Sequence, residues 1–88
     1  MTDQEYAVVI YRNVFRVKDD RGYDYMQEIM EALNTLPERE QTVLEKYYRQ
    51  GKTLEQVGKD IGLATSSVCS IVKRAIMKLK FRLSKVWN

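Results

Sequence analysis

Two runs of helical apolar spacing lie almost back to back in this chain. Leu54, Val57, Gly58 and Ile61 form one, Val68, Ile71, Val72, Ala75, Ile76 and Leu79 the next, and Gly62 stands at the junction. A chain that must reverse within two or three residues needs one that tolerates the left-handed backbone conformation, and Gly62 fills that place. Thr53 and Gln56 form a capping box that starts the first run. Gly58 is small where the two helices must approach, and Ile61, Leu63, Val68 and Ile71 fill the angle between them. Two helices joined by a turn of about three residues make a helix-turn-helix, a motif whose second helix enters the major groove of DNA.

The rest of the chain is punctuated in the same way. Thr2 and Glu5 give a capping box for a helix to about Val17, although the β-branched Val8, Val9, Ile10, Val14 and Val17 leave a strand or hairpin edge as the alternative. Asp19 to Gly22 make a turn, and Tyr25 or Met26, Ile29, Met30 and Leu33 mark a second helix. Thr35 and Glu38 bracket Pro37 as the start signal of a third, whose stripe Val43, Leu44, Tyr47 and Tyr48 runs up to Gly51. The last helix starts just after Gly62 and carries Leu83, Val86 and Trp87 on its stripe, for about twenty residues. The expectation is an all-α single domain of about five helices over residues 1–88. Residues 1–22 form an accessory N-terminal helix and turn, and 23–88 hold the helix-turn-helix with its extended C-terminal helix.

Several functions are excluded early. With no histidine and one cysteine, Cys69, the chain has no usual zinc pattern, no internal disulfide and no imidazole base, so neither metal, cofactor nor enzymatic activity is expected. Ser70 and Lys73 repeat a spacing used by serine acyl-enzymes, but the companion motifs are absent. The longest apolar run, Tyr6 to Tyr11, is far short of the ~20 residues of a membrane helix, and Met1 to Glu5 lacks the basic start of a signal peptide, which points to the cytoplasm. Charge is divided sharply. All twelve acids lie at or before Asp60 with nine Lys and Arg, a net of −3; beyond Asp60 six Lys and Arg stand without an acid. A basic C-terminal third suggests a polyanion, most simply nucleic acid, beside the plainer reading of solubility and an opposed helix dipole.

Residues 33 to 80 resemble region four of bacterial sigma factors, a wingless module of the winged-helix type. "LPEREQTVLEKYY" is similar to its first half, and "TLEQVGKDIGL" with "AIMKLK" to its helix-turn-helix and basic exit. The resemblance implies transcription initiation or its control, with duplex DNA on one side and the RNA polymerase flap on the other, held by the helix from Val43 to Tyr48. A whole sigma factor also needs a DNA-melting domain that 88 residues cannot hold, so the resemblance implies a free-standing module, like those of phages and mobile elements.

The recognition helix departs from the family pattern. Where the family opens with a Ser or Thr cap followed by Arg, Glu and Gln, this chain has Ala64, Thr65, Ser66, Ser67, Val68, Cys69 and Ser70. Ala64 has no side chain to cap with, which predicts Thr65 as N-cap. The base-facing set is then Thr65, Ser66, Cys69, Ser70 and Lys73, and the backbone set Lys52, Thr53, Ser67, Arg74, Lys78 and Lys80. Small hydroxyls lack the bidentate fork of Arg or Asn, so base readout should be shallow and binding salt-sensitive. The acids Glu38, Glu40 and Glu45 are expected to face away. A solvated polar face accounts equally well for Ser66, Ser67 and Ser70. The tyrosines are expected mostly in the core rather than as stacking platforms, and Cys69 as an incidental thiol. The tail stripe Ile76, Leu79, Leu83, Val86 and Trp87 packs on the N-terminal helix or joins it in a homodimer interface. The leading reading is a sequence-specific DNA-binding transcription regulator. The rival is a protein-interaction module without base readout: a polymerase accessory or split sigma subunit, an anti-sigma-type decoy, or an inhibitor of another nucleic-acid enzyme.

Overall fold

The computed structural model describes residues 1–85. Its helices run α1 (Asp3–Phe15), α2 (Met26–Asn34), α3 (Glu38–Leu44), α4 (Leu54–Ile61) and α5 (Thr65–Ser84), with a short 3₁₀ turn at Arg21–Tyr23. Among the described residues there is no strand, and no helix is long and apolar enough to cross a membrane. The strand alternative for the N-terminal segment is not taken up.

Local sequence signals account for most of the ends. The Thr2 hydroxyl accepts from Glu5 N and the Glu5 carboxylate accepts from Thr2 N, closing the box on α1. The hydrogen bond from Thr2 N, and then the Thr2 side chain, hold the Glu5 carboxyl below its usual range. Helix α1 stops at Phe15, two residues before Val17, because Arg16 turns into the left-handed region (φ 54°) and the N–H groups of Arg16 and Val17 both donate to Arg12 O. Gly22 then lies directly on α1. A Cβ there would sit 2.6 Å from Val8 Cα and 2.8 Å from Ala7 O, so no other residue fits without moving the helix.

The start of α3 differs from expectation. The Thr35 hydroxyl donates to Ala32 O at 2.6 Å, closing α2 rather than capping the next helix, and Pro37 takes the N-cap without a side-chain bond. Gln41 closes this turn by donating to Leu36 O. Helix α3 continues as a wider π-type turn over Glu45–Arg49, ending on Gln50 N to Glu45 O and Lys52 N to Lys46 O with Gly51 at φ 71°.

Helix α5 packs against α1, α2, α3 and α4. Its buried stripe is Val68, Val72, Ala75, Leu79 and Leu83; these meet Tyr6, Ile10, Tyr11 and Val14 of α1, Ile29 and Leu33 of α2, Val43 and Leu44 of α3 and Val57 of α4 in one cluster. Within the described residues the tail stripe is therefore packed inside the chain; Val86 and Trp87 lie outside them. Tyr6 and Tyr11 are buried, Tyr25, Tyr47 and Tyr48 half-buried and Tyr23 exposed, so the aromatics serve mainly the core. Arg49 lies over the Tyr6 ring (5.3 Å to its centroid), donates to Met1 O and pairs with Asp3 at 2.8 Å, tying the start of α1 to the end of α3.

Gly22, and Gly58, whose added Cβ would run into the Leu63 carbonyl, should therefore be intolerant of a single methyl group. Gly58→Ala and Gly22→Ala are each expected to cost about 1–3 kcal/mol as overpacking, read from urea denaturation; wild-type stability for both would refute the close approaches.

Candidate nucleic-acid interface

The turn between α4 and α5 is set by backbone contacts. Thr53 Oγ1 accepts from Gln56 N and the Gln56 side chain accepts from Thr53 N, fixing the start of α4. At its end Gly62 is left-handed (φ 74°), and Leu63 N donates to Gly58 O at 2.8 Å. A Cβ on Gly58 would collide with the Leu63 carbonyl oxygen, so glycine is required where the helices converge. Val68 is fully buried in the angle, with Ile61, Leu63 and Ile71 half-buried around it.

Helix α5 starts one residue earlier than a side-chain cap would place it. Ala64 is the N-cap, extended at φ −67° and ψ 153°, with no side-chain bond; its carbonyl accepts from Val68 N at 3.1 Å. The short turn and the seating of Val68 fix this register. Thr65 is thus the first helical residue and does not cap, correcting the expectation from sequence.

Around α5 the buried stripe leaves an outward row of Ser66, Ser70, Lys73 and Arg74, all exposed and continued by Met77 and Phe81. From Ser66 to Lys73 the row rises about 10 Å, within the ~12 Å width of the major groove. Thr65 and Ser67 are exposed beside it, and Cys69 is half-buried at its edge. The Ser70 hydroxyl donates to Ser66 O at 3.1 Å, which leaves its oxygen free to accept. The structure thus brings Ser66, Ser70 and Lys73 onto one face, with Thr65 to one side at the helix start and Cys69 turned partly inward.

The backbone-facing candidates divide by charge partner. Among the described residues Lys73, Arg74, Lys80 and Arg82 make no ion pair. Lys78 reaches back to α3, where Nζ donates to Glu40 Oε2 at 2.8 Å. Glu40 is buried, which corrects the expectation that it faces away with Glu38 and Glu45; those two are exposed. Its Oε1 has no hydrogen-bond partner among the described residues. Lys52 is tied to Asp60, whose Oδ2 is also 3.4 Å from Lys46 Nζ. The Lys52 hydrogen bond, followed by that from Lys46, holds the Asp60 carboxyl below its usual range. Thr53 is committed to its cap, beside an open cleft of about 630 Å³ between Tyr47, Tyr48 and the start of α4. Burial, and then Tyr47, raise the Tyr48 phenol pKa. No group of three or more His, Cys, Asp or Glu among the described residues could hold a metal ion.

Sequence reasoning missed the Lys78–Glu40 and Lys52–Asp60 pairings, which join residues 38 and 8 positions apart. It also passed over Met77 and Phe81, 72% and 69% exposed, which four-residue steps from Lys73 would have placed on the same row.

The family model of sigma-70, region 4 matches residues 32–80. The chain is 36% identical over 63 residues to RNA polymerase sigma factor FliA of Salmonella typhimurium, covering 72% of this chain and 26% of that protein. Against RNA polymerase sigma factor FliA of Escherichia coli K12 it is 38% identical over 60 residues, 68% of this chain and 25% of that one. Against the RNA polymerase sigma-D factor of Bacillus subtilis it is 32% identical over 79 residues, 80% of this chain and 31% of the relative. The chain thus spans between a quarter and a third of the length of these relatives. No solved structure matches it significantly.

Two outcomes follow from the ion pairs. Lys78→Met strands the buried Glu40 carboxylate and is expected to cost about 1–3 kcal/mol, while the double change Lys78→Met with Glu40→Met recovers most of it; equal instability of single and double variants in urea would contradict the pairing. Because the Asp60 carboxyl is lowered in the folded chain, its contribution to stability is present above the usual carboxylate pKa of about 4 and is lost as pH falls through the lowered value. Asp60→Asn should flatten that part of the acid limb in thermal melts; an unchanged limb would show the tie to be without effect.

Proposed function

The chain belongs to the sigma-70 region 4 family, a non-enzymatic transcription-factor domain, and from that premise we propose that it is a sequence-specific DNA-binding regulator of transcription acting in the cytoplasm. The start of α5 enters the major groove with Thr65, Ser66, Ser70 and Lys73 toward the bases and Cys69 at the margin. Arg74 and Lys80 hold the flanking phosphates, Ser67 and Thr53 lie along the backbone, and Lys52 and Lys78 reach phosphate only by leaving their carboxylates. The observation that carries this reading is the outward row itself: exposed hydroxyls on one helix face, ending in Lys73 and Arg74 without an acid beside them.

Charge decides how such a helix binds. Hydroxyls contact any base, so most of the affinity comes from the cations and falls with salt. Sequence preference therefore rests on Lys73, on hydroxyl contacts and on the shape of the site. RNA polymerase is the proposed protein partner, since the relatives are polymerase sigma factors, with the surface from Val43 to Tyr48 toward the flap. Among the described residues, a homodimer through the N-terminal and C-terminal helices would find Val17, Met77 and Phe81 exposed, since most other large apolar side chains of α1 and α5 are packed within the chain. Sedimentation at tens of micromolar tests that contact, a dimer supporting it and a monomer removing it.

The direct test of the regulator is titration with random duplex and with the DNA upstream of its own gene at two salt concentrations. The expected result is salt-dependent affinity with a preference for the upstream DNA. The charge reversal Lys73→Glu with Arg74→Glu is expected to abolish binding, a loss of at least about tenfold for two phosphate or base contacts, with the fold intact by circular dichroism. Unchanged binding by that variant, or equal weak binding to both duplexes, would replace the regulator with a module that acts through a protein partner.

A further inference from the structure

Lys52 immediately precedes the cap of α4, a place from which a lysine can meet a phosphate at the helix N-terminus. Its ammonium is instead turned along the helix to the Oδ2 of Asp60, near the other end. From Thr53 to Asp60 the rise is about 10 Å, so an ammonium held at Asp60 is drawn away from the N-terminus. Lys46, from the end of α3, lies 3.4 Å from the same oxygen. The three side chains are 24–35% exposed, which leaves the tie within reach of solvent and of an incoming anion. Asp60 is also the last acid of the chain, at the boundary of its uniformly basic third.

We propose that Asp60 is an internal competitor for DNA phosphate: it withholds Lys52 from the backbone of a bound duplex, and a phosphate arriving at the start of α4 displaces the carboxylate. The inference rests on the DNA-binding reading above. The exchange trades one lysine–carboxylate contact for one lysine–phosphate contact, so the lysine adds little net affinity while Asp60 is present. Phosphate contacts supply nearly all sequence-independent binding, and Asp60 therefore keeps the chain's attachment to arbitrary DNA weak. Removing one negative charge would strengthen DNA binding in any case, and the competitor differs from that simple effect in requiring Lys52.

The test is a double-mutant cycle with a random 20-base-pair duplex at 50 and 200 mM salt, using the wild-type chain, Asp60→Asn, Lys52→Met and both together. Asp60→Asn is expected to bind more tightly and to steepen the salt dependence by about 0.9 in logarithmic slope, so that its advantage shrinks about threefold between the two salts. Lys52→Met should cost much less with Asp60 present than in the Asp60→Asn chain. Additive effects, or no gain from Asp60→Asn, would overturn the competitor. Should that variant fail to fold, the wild-type chain carries the test through the ¹³C resonance of the Asp60 carboxyl. It should move toward the position of an unpaired carboxylate when duplex saturates the protein, and an unmoved resonance would overturn the inference. A wild-type chain that binds no duplex removes the DNA-binding reading and the competitor together. Binding that is lost on reversal of Lys73 and Arg74 but additive in the cycle removes the competitor alone.

Discussion

The carbonyl oxygen of Leu63 occupies the place where any residue but glycine at position 58 would carry its Cβ. That close approach, with Gly62 in the left-handed region and Leu63 N bonded to Gly58 O, sets how α5 leaves α4. The angle then decides which side of α5 is buried. Val68, Val72, Ala75, Leu79 and Leu83 turn to the other helices, and the opposite row of Ser66, Ser70, Lys73 and Arg74 is left in solvent. The surface proposed to meet DNA is thus a consequence of a backbone contact between residues outside it.

The parts of this arrangement that were legible in the sequence are those whose cause lies within a few residues. Capping boxes close over three positions, which is why Thr2 with Glu5 and Thr53 with Gln56 announce α1 and α4 correctly. Gly62 announces its turn for the same reason. Thr35 carries an equally good local signal, yet its hydroxyl closes the preceding helix. Ala64 heads α5 although it cannot cap, since the turn before it and the seating of Val68 had already fixed the register. Glu40 read as one more surface acid of α3, and only the packing of α5 across that helix explains why it is buried against Lys78. The family resemblance was legible because scaffold positions are dense in residues 33 to 80, and the match to residues 32–80 agrees with it.

Charge in this fold has two populations. Lys46, Lys52, Lys59 and Lys78 are engaged with carboxylates of α3 and α4, whereas Lys73, Arg74, Lys80 and Arg82 make no ion pair among the described residues. The formal net charge of +3 therefore describes poorly what a polyanion would meet, because on α5 four cations without an ion pair stand in a stretch that holds no acid, while Arg12, Arg16, Lys18 and Arg39, also outside these pairs, are spread over the acidic part of the chain. On the proposed reading, a helix of small hydroxyls followed by such cations is suited to holding DNA more than to reading it.

The most direct test of the account is to map the amide resonances that move when a duplex of the upstream DNA is added to the ¹⁵N-labelled chain. The largest changes are expected over residues 52–56 and 64–74, with Lys80 at the margin and the exposed acids Glu38 and Glu45 unmoved. Changes centred on α2 and α3, with the start of α5 unaffected, would contradict it.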